Sequence, residues 1–140
     1  MIYQPALATR PEDASEEVRA LVSRQARAWE TGDFGLAAGD WLPDGVLVSP
    51  GGRWRADELR GEMAKFHAAY RDLQVTVKNV FATADGSRLA AEWDWTVTRR
   101  SDGVRGTTPD AIIADLVDGK ISSWREYFDL SSSVEAPRGG

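Results

Sequence analysis

An α+β domain is the fold class that this sequence predicts, with helices in the first half and an antiparallel sheet in the second. Up to about residue 71, most apolar side chains recur at helical spacing. From Leu73 onward they alternate with polar side chains, which is the period of a strand. Asp-Gly pairs separate the alternating stretches at 85–86, 102–103 and 118–119. Because Asp-Gly favours tight hairpin turns, we expect these stretches to form a meander.

The first helix is predicted to run to about Thr31. Asp13-Ala14-Ser15-Glu16 has capping-box spacing at its start, and Gly32 follows its end. Asp33 is then expected to cap a short second helix that reaches about Asp40. A third helix is predicted over 56–71, with a buried stripe of Leu59, Met63, Phe66 and Tyr70.

The strands are predicted from alternation and from the turns between them. A first strand covers Val46 to Ser49 and stops at Pro50-Gly51-Gly52. Leu73, Val75 and Val77 mark the second, ahead of the Asp85-Gly86 turn. The remaining three strands are expected over 89–100, around 107–116 and 120–130.

Length and composition limit the organisation and the classes of partner. At 140 residues the chain suits one domain, and we expect an N-terminal arm over 1–12, the domain over 13–131 and a flexible tail over 132–140. No apolar run approaches the roughly 20 residues of a membrane span, so no membrane partner is predicted. The net charge of −5 argues against nucleic-acid binding. The absence of cysteine fits a reducing, cytoplasmic location.

Metal and cofactor sites lack their usual residues. The chain has no cysteine and one histidine, His67, which cannot build a zinc site alone. The sequence has no Gly-rich turn between a strand and a helix, which is the usual mark of a nucleotide site. We therefore predict no metal and no cofactor.

The last strand carries the chemistry that is easiest to interpret. Alternation places Ile121, Ser123, Arg125, Tyr127 and Asp129 on one face, and Ser122, Trp124, Glu126 and Phe128 on the other. The first set combines a guanidinium, a phenol and a carboxylate. We predict that this face borders a pocket, with Asp129 as the best catalytic candidate. In the alternative interpretation these groups only satisfy one another's hydrogen bonds in a sheet.

A second acidic pair lies in Glu92-Trp93-Asp94-Trp95. In one interpretation the tryptophans line the core or cavity and the acids meet solvent or a partner subunit. In the other the acids turn inward, where burial would raise the pKa of a carboxyl group and make it a usable acid or base. The sequence leaves both open.

The order of elements and two motifs resemble the nuclear transport factor 2-like superfamily, in its SnoaL-like polyketide cyclase and limonene epoxide hydrolase branch. The motifs are Ala28-Trp29-Glu30-Thr31-Gly32-Asp33 and the stretch from Gly119 to Asp129. The resemblance covers about 14–131. It implies a cone-shaped α+β barrel around an apolar cavity, and often a homodimer. Because this fold supports many reactions as well as simple binding, it implies no single function.

Two branches of the superfamily allow a comparison by position. Ketosteroid isomerases would place their tyrosine near Gln25 and their two aspartates at Ser49 and near Asp110, so the usual base is absent. In limonene epoxide hydrolases, Asp129 resembles one catalytic aspartate. Their first-strand partners fall on Leu47 and Ser49. Their Arg-x-Asp pair falls on Trp93 and Trp95 when aligned without a gap, and only a one-residue bulge would put Glu92 and Asp94 there instead. The arginine is missing either way, so that set is incomplete.

The resulting hypothesis is a cofactor-free acid–base enzyme, of hydrolase, cyclase or isomerase type, for a small apolar organic substrate. Asp129 would be the acid or base and Asp94 its partner. The predicted substrate-binding residues are Tyr127, Arg125, Trp29, Trp93, Trp95, Phe66, Ser49 and Asp110. The alternative is a non-catalytic ligand-binding or dimerisation module with the same cavity. Two carboxyl groups inside the cavity would favour the enzyme.

Overall fold

The structure is a computed structural model that describes residues 14–135. Two α-helices and six strands make up the domain, together with four short 3-10 turns. Helix α1 spans Glu16–Thr31 and α2 spans Leu59–Ala69. The strands are β1 Trp41–Ser49, β2 Gly52–Arg55, β3 Tyr70–Ala82, β4 Arg88–Arg99, β5 Arg105–Val117 and β6 Lys120–Tyr127.

Helix α1 ends where Gly32 predicts, and it begins at Glu16 with Ser15, rather than the predicted Asp13, as its N-cap. The Ser15 hydroxyl accepts a hydrogen bond from the Val18 backbone N–H, and Gly32 closes the helix in the left-handed conformation. Asp13, which belongs to the predicted capping box, lies outside the described residues. The buried stripe includes Gln25, whose amide oxygen accepts a hydrogen bond from Trp41 Nε1 at 3.0 Å.

The segment between α1 and α2 differs from prediction in three respects. The short second helix is a pair of 3-10 turns, Phe34–Leu36 and Ala38–Asp40, although Asp33 does cap the first. Strand β1 begins at Trp41, and a hairpin at Pro50-Gly51 adds the unpredicted strand β2. Helix α2 stops at Ala69, because Tyr70 already pairs with Arg99 in the sheet.

The sheet has the order β2-β1-β6-β5-β4-β3. All neighbours are antiparallel except β1 and β6, which run parallel. The predicted meander is therefore confirmed as β3-β4-β5-β6. Asp118 and Gly119, which join β5 to β6, both have positive φ, as the tightest hairpin turns require. The sheet is open, with β2 and β3 at its edges, and the α+β class is confirmed.

One face of the sheet forms the core beneath α1 and α2. Trp93, Ile112 and Trp124 are fully buried on neighbouring strands. Strand β3 keeps Leu73 and Val75 buried, but an irregularity between Val77 and Asn79 shifts its register. Val77, before the irregularity, is partly exposed on this edge strand, and Val80, after it, turns inward.

The residues after β6 return to the body of the domain. Leu130–Ser132 forms a 3-10 turn capped by Asp129. Val134 then packs against the core, and its carbonyl accepts a 2.6 Å hydrogen bond from Arg99 Nη1. Residues 132–135 of the predicted tail thus lie on the domain, whereas 136–140 and the predicted arm lie outside the described residues. Within 14–135, no helix is long and apolar enough to cross a membrane.

Candidate active site

A cavity of about 110 Å³ lies between the helices and the inner face of the sheet. Its walls come from nearly every layer of the domain: Trp29 and Phe66 on the helices, Trp54 on β2, and Trp95 on β4. Leu47, Ser49, Leu59, Glu62, Thr108, Asp110, Glu126, Phe128 and Glu135 complete the described lining. The cavity therefore combines an aromatic wall with several acidic groups.

Asp110 lies on the inner face of β5, directly opposite Trp93 on β4. Its side chain is 6% exposed, and Oδ2 accepts a hydrogen bond from Trp93 Nε1 at 3.0 Å. Oδ1 is also buried but receives no N–H or hydroxyl donor from the described residues. Burial raises the pKa of Asp110, while hydrogen bonds from Glu126, from Trp93 and from backbone N–H groups partly offset this.

Glu126 faces Asp110 from the neighbouring strand β6. Trp124, two residues earlier on the same face, donates its Nε1–H to Glu126 Oε2 at 2.9 Å. Burial raises the pKa of Glu126 well above its ordinary value, and the hydrogen bond to Asp110 and the charge of Asp110 raise it further. Of the two carboxyl groups, Glu126 is therefore the one that keeps its proton to higher pH, and Asp110 is the one that ionises first.

Glu135 brings a third carboxyl group from the C-terminal segment. Burial raises its pKa to about 7, with the charge of Asp110 adding to the effect. Trp95 Nε1 slightly lowers this pKa, yet it is buried and makes no well-formed hydrogen bond to a described group. The cavity therefore holds three interacting carboxyl groups, and at neutral pH it cannot ionise them all without cost.

The aromatic wall is a mutually packed set. Trp29, Phe66 and Trp95 meet edge to face, with ring centroids 5.4–5.9 Å apart. Trp95 also lies 6.4 Å from Trp93, which is itself 1% exposed. The predicted wall residues are brought together, although Trp93 lies behind the cavity lining and contributes through the hydrogen bond from its N–H to Asp110.

The cavity lies on the opposite face of β6 from the one predicted. Trp124, Glu126 and Phe128 turn inward, so the predicted orientation is wrong. On the outer face, Arg125 pairs with the Asp115 carboxylate at 2.8 Å, and Tyr127 is 58% exposed. Each face of this strand carries both apolar and polar side chains, so the sequence pattern alone could not show which face was buried.

The two predicted catalytic acids lie outside the cavity. Asp129 is exposed and accepts hydrogen bonds from the Ser131 hydroxyl and backbone N–H, which lower its pKa. Asp94 lies on the outer face of β4 and pairs with Lys78 at 3.2 Å. Of the two interpretations of 92–95, the structure shows the one with tryptophans inward and acids outward. Ser49 and Asp110, by contrast, do line the cavity.

His67 serves the framework. Its Nε2 lies 2.6 Å from the Trp29 carbonyl oxygen, which ties α2 to the end of α1. Among residues 14–135, no group of three or more histidine, aspartate or glutamate side chains is arranged to hold a metal ion.

A family model of the SnoaL-like domain matches residues 22–124, which is most of the chain. The chain belongs to the SnoaL-like family. No curated protein matches it significantly.

Solved structures confirm the nuclear transport factor 2-like fold of this SnoaL-like domain. A proposed polyketide cyclase from Pseudomonas putida is similar at TM-score 0.74 and 23% identity, covering 88% of this chain and 98% of that one. A protein with a ketosteroid isomerase-like fold from Catenulispora acidiphila, in complex with trimethylamine, is similar at TM-score 0.73 and 20% identity, covering 80% of this chain and 87% of that one. An epoxide hydrolase of limonene-hydrolase type from M. tuberculosis gives 0.70 at 20%, covering 91% and 87%.

Sequence reasoning missed three of the four acids in the described cavity lining: Glu62, Glu126 and Glu135. Glu126 belongs to the motif that identified the SnoaL-like branch, but it was assigned to the face without a pocket. Glu135 lies in a polar stretch that resembles a tail. For Glu126 a usable signal was present: it is two residues from Trp124, so one face of a strand carries both an acid and an indole donor.

Proposed function

We propose that this SnoaL-like protein is a cofactor-free acid–base enzyme for a small organic substrate, and that Asp110 and Glu126 are its catalytic pair. The observation that carries the proposal is their joint position in the cavity wall, where each is held by its own tryptophan N–H. Asp129 and Asp94, the candidates from sequence, have no cavity contact. The proposal therefore moves the catalytic role to the inner face of the sheet.

The two carboxyl groups are suited to opposite roles. The environment raises both pKa values, that of Glu126 further, so that Asp110 is the first of the pair to ionise and Glu126 is the one that keeps its proton. Asp110 Oδ1 has no N–H or hydroxyl donor of its own among the described residues and can accept a proton from a substrate. Glu126 can deliver one to a substrate oxygen. Such a pair fits isomerisation, cyclisation or ring opening.

The solved relatives support the breadth of this proposal without choosing a reaction. Their names include polyketide cyclase and epoxide hydrolase, and both reactions can begin with proton transfer. The Catenulispora protein holds a small amine, so a cavity in this fold can admit a molecule of few atoms. A volume of about 110 Å³ is comparable with the 150 Å³ engineered cavity that holds benzene, so it suits ligands of up to about six heavy atoms.

Activity with two small ring compounds tests the proposal. Isomerisation of 3-cyclopentenone and hydrolysis of cyclopentene oxide would be followed in wild type, Asp110→Asn and Glu126→Gln. Asp94→Asn and Asp129→Asn are the matched controls, since they change acids outside the cavity. We expect the first two substitutions to lower turnover by about 10²-fold or more, and the controls to leave it within about twofold.

Titration supplies a readout that needs no substrate. Carboxyl carbon shifts measured by NMR should show Glu126 still protonated at a pH where Asp110 is ionised. Joint ionisation of both groups near their ordinary values would contradict the proposed pair. Loss of turnover in Asp129→Asn equal to that in Asp110→Asn would contradict the assignment of roles.

The competing proposal is a non-catalytic ligand-binding protein, which the aromatic wall favours because aromatic contacts can bind a ligand without any proton transfer. It predicts ligand binding without turnover in every variant.

We also propose a cytoplasmic homodimer, because the resemblance implies the dimer and the lack of cysteine fits that location. Light scattering tests the dimer, and a monomer at micromolar concentration would contradict it.

A further inference from the structure

The charge around the cavity has one sign. Four carboxyl groups line it, from Glu62 on α2, Asp110 on β5, Glu126 on β6 and Glu135 in the C-terminal segment. None of the described lining residues is a lysine, an arginine or a histidine. Buried acids are normally paired with a cation or kept protonated. Glu62 lies 4.0 Å from Lys65 Nζ, outside the lining, but the other three acids have no described cation partner, so for them a positive charge would have to come from the ligand.

Two buried polar atoms in the cavity wall lack well-formed partners. Asp110 Oδ1, on a side chain more than nine-tenths buried, accepts no N–H or hydroxyl donor from the described residues. Trp95 Nε1 likewise donates to no described acceptor with good geometry. In the absence of a ligand, Asp110 Oδ1 can be satisfied only by the proton it shares with Glu126 or by water. An ammonium N–H is a further donor of the right kind.

The aromatic wall supplies the complementary surface. Trp29, Phe66 and Trp95 are mutually perpendicular or nearly so, with interplanar angles of 63–86°. A ligand in contact with this set meets ring faces as well as edges. The faces of aromatic rings attract cations within about 6 Å, most strongly for tryptophan. Rings and carboxylates together therefore favour an organic cation over a neutral molecule of the same shape.

We propose that the ligand of this cavity is a small apolar amine in its ammonium form, with its N–H directed at Asp110 Oδ1 and its hydrocarbon part against Trp29, Phe66 and Trp95. This inference rests on the proposed function for the site and narrows the substrate class. The ammonium would take the place of the proton between Asp110 and Glu126. Binding of the cation is therefore coupled to release of a proton.

The coupling fixes the direction of the pH dependence. At low pH Asp110, Glu126 and Glu135 are protonated and offer the cation little attraction. As pH rises they ionise, so affinity for an ammonium ion should increase while affinity for a neutral isostere should not. Near Glu135, the Tyr70 hydroxyl and the Arg99 guanidinium are the other titratable or charged groups with a described influence. Arg99 is committed to Asp102 at 2.8 Å.

Two probes of nearly identical shape test the proposal: tert-butylammonium and tert-butanol. Tryptophan indole N–H signals would be followed by NMR in titrations of the full chain at pH 8 and pH 5. At pH 8 we expect the ammonium to bind at least about tenfold more tightly than the alcohol. At pH 5 the ratio should fall below about threefold.

Variants locate the effect. Asp110→Asn should reduce the pH 8 preference to below about threefold, whereas the outer-face control Asp94→Asn should keep it. If Asp110→Asn does not fold, Glu135→Gln serves as a second variant and should halve the preference or more. Equal binding of the two probes, no binding of either, or an equal preference in the Asp110 and Asp94 variants would each overturn the proposal.

The outcome is separable from that of the proposed function. Isomerisation of cyclopentenone that depends on Asp110, without any amine preference, would remove the ligand class and leave the acid–base pair standing. A preference for the amine without proton transfer in any assay would support the ligand class and remove the acid–base pair.

Discussion

Replacement of Glu135 by glutamine should make the protein more stable at high pH and leave its stability at low pH nearly unchanged. Burial and the charge of Asp110 raise the pKa of Glu135 from 4.5 to about 7. In the unfolded chain the group returns to its ordinary value. The folded state therefore binds this proton more tightly than the unfolded state does.

The sign follows from proton linkage. Below about pH 4.5 both states are protonated, and Glu135 has no differential effect. Between pH 4.5 and 7 the unfolded state has lost the proton that the folded state keeps, so the free energy of unfolding falls as pH rises. Above pH 7 both states are ionised, and the loss is complete. Glutamine, which cannot ionise, does not suffer this loss.

The magnitude follows from the same pKa values. At about 1.4 kcal/mol for each pH unit, a rise from 4.5 to 7 corresponds to roughly 3 kcal/mol. Because the side chain is half-buried and partly screened by solvent, about 2 kcal/mol is the better expectation. For a domain of this size that corresponds to roughly 6 °C in Tm.

Local release sets a ceiling on the effect. The segment after β6 is held mainly by Val134, through its core packing and its bond to Arg99. If freeing this segment costs less than ionising Glu135 in place, the segment will detach above pH 7 and the global change will be smaller. Hydrogen exchange at 131–135 distinguishes the two, since only detachment abolishes protection there.

Urea unfolding at pH 5, 6, 7 and 8 provides the measurement, with wild type, Glu135→Gln and the outer-face control Glu92→Gln. The difference between Glu135→Gln and wild type should grow by about 2 kcal/mol across this range, and the control should show no trend. Adding Asp110→Asn should shrink the trend, because the Asp110 charge contributes to the raised pKa. A difference independent of pH, with unchanged exchange at 131–135, would refute the reasoning.

Three further predictions concern single contacts. Trp93→Phe removes the indole N–H that donates to Asp110, so the pKa of Asp110 should rise further in an NMR titration. The substitution should also lower the free energy of unfolding in urea by about 2 kcal/mol. An unchanged pKa of Asp110 would contradict this prediction. Gly106→Ala would place a Cβ 2.7 Å from Val134 Cγ2 and push the C-terminal segment away. Hydrogen exchange at 131–135 should therefore become faster, while the midpoint of urea unfolding changes little. Gly61→Ala, where an added Cβ has no neighbour within 4 Å, is the control. Gln25→Leu orphans the buried Trp41 N–H and should cost about 1–3 kcal/mol; full stability would mean that this hydrogen bond contributes nothing.

Local signals predicted the framework well, because they act over a few residues. Ser15 and Gly32 define the ends of α1 by capping, and the Asp-Gly turns define the meander. Long-range pairing was harder to predict. Strand β2 has only four residues, and Tyr70 leaves the helical pattern because its backbone pairs with Arg99, which lies far along the chain.

The inner face of β6 was mispredicted for a similar reason. Its sequence alternates, but the charged residues Arg125 and Glu126 fall on opposite faces, so each face carries at least one charge. Only the neighbouring strands decide which charge is buried. Arg125 meets Asp115 across the outer face, whereas Glu126 meets Asp110 across the inner one. Because register decides the partners, a strand in isolation cannot show them.

The six tryptophans explain how acids can be kept inside this small domain. Trp93 donates to Asp110, Trp124 donates to Glu126, and Trp95 lies where it lowers the pKa of Glu135. An indole fills core volume with its rings and presents one N–H at the edge, so it can stabilise a carboxylate without bringing a positive charge. An arginine in the same place would lower the carboxyl pKa values and abolish the shared proton. The tryptophans therefore serve both the core and the cavity: each indole N–H lowers a carboxyl pKa that burial raises, without adding a positive charge that would cancel the effect of burial.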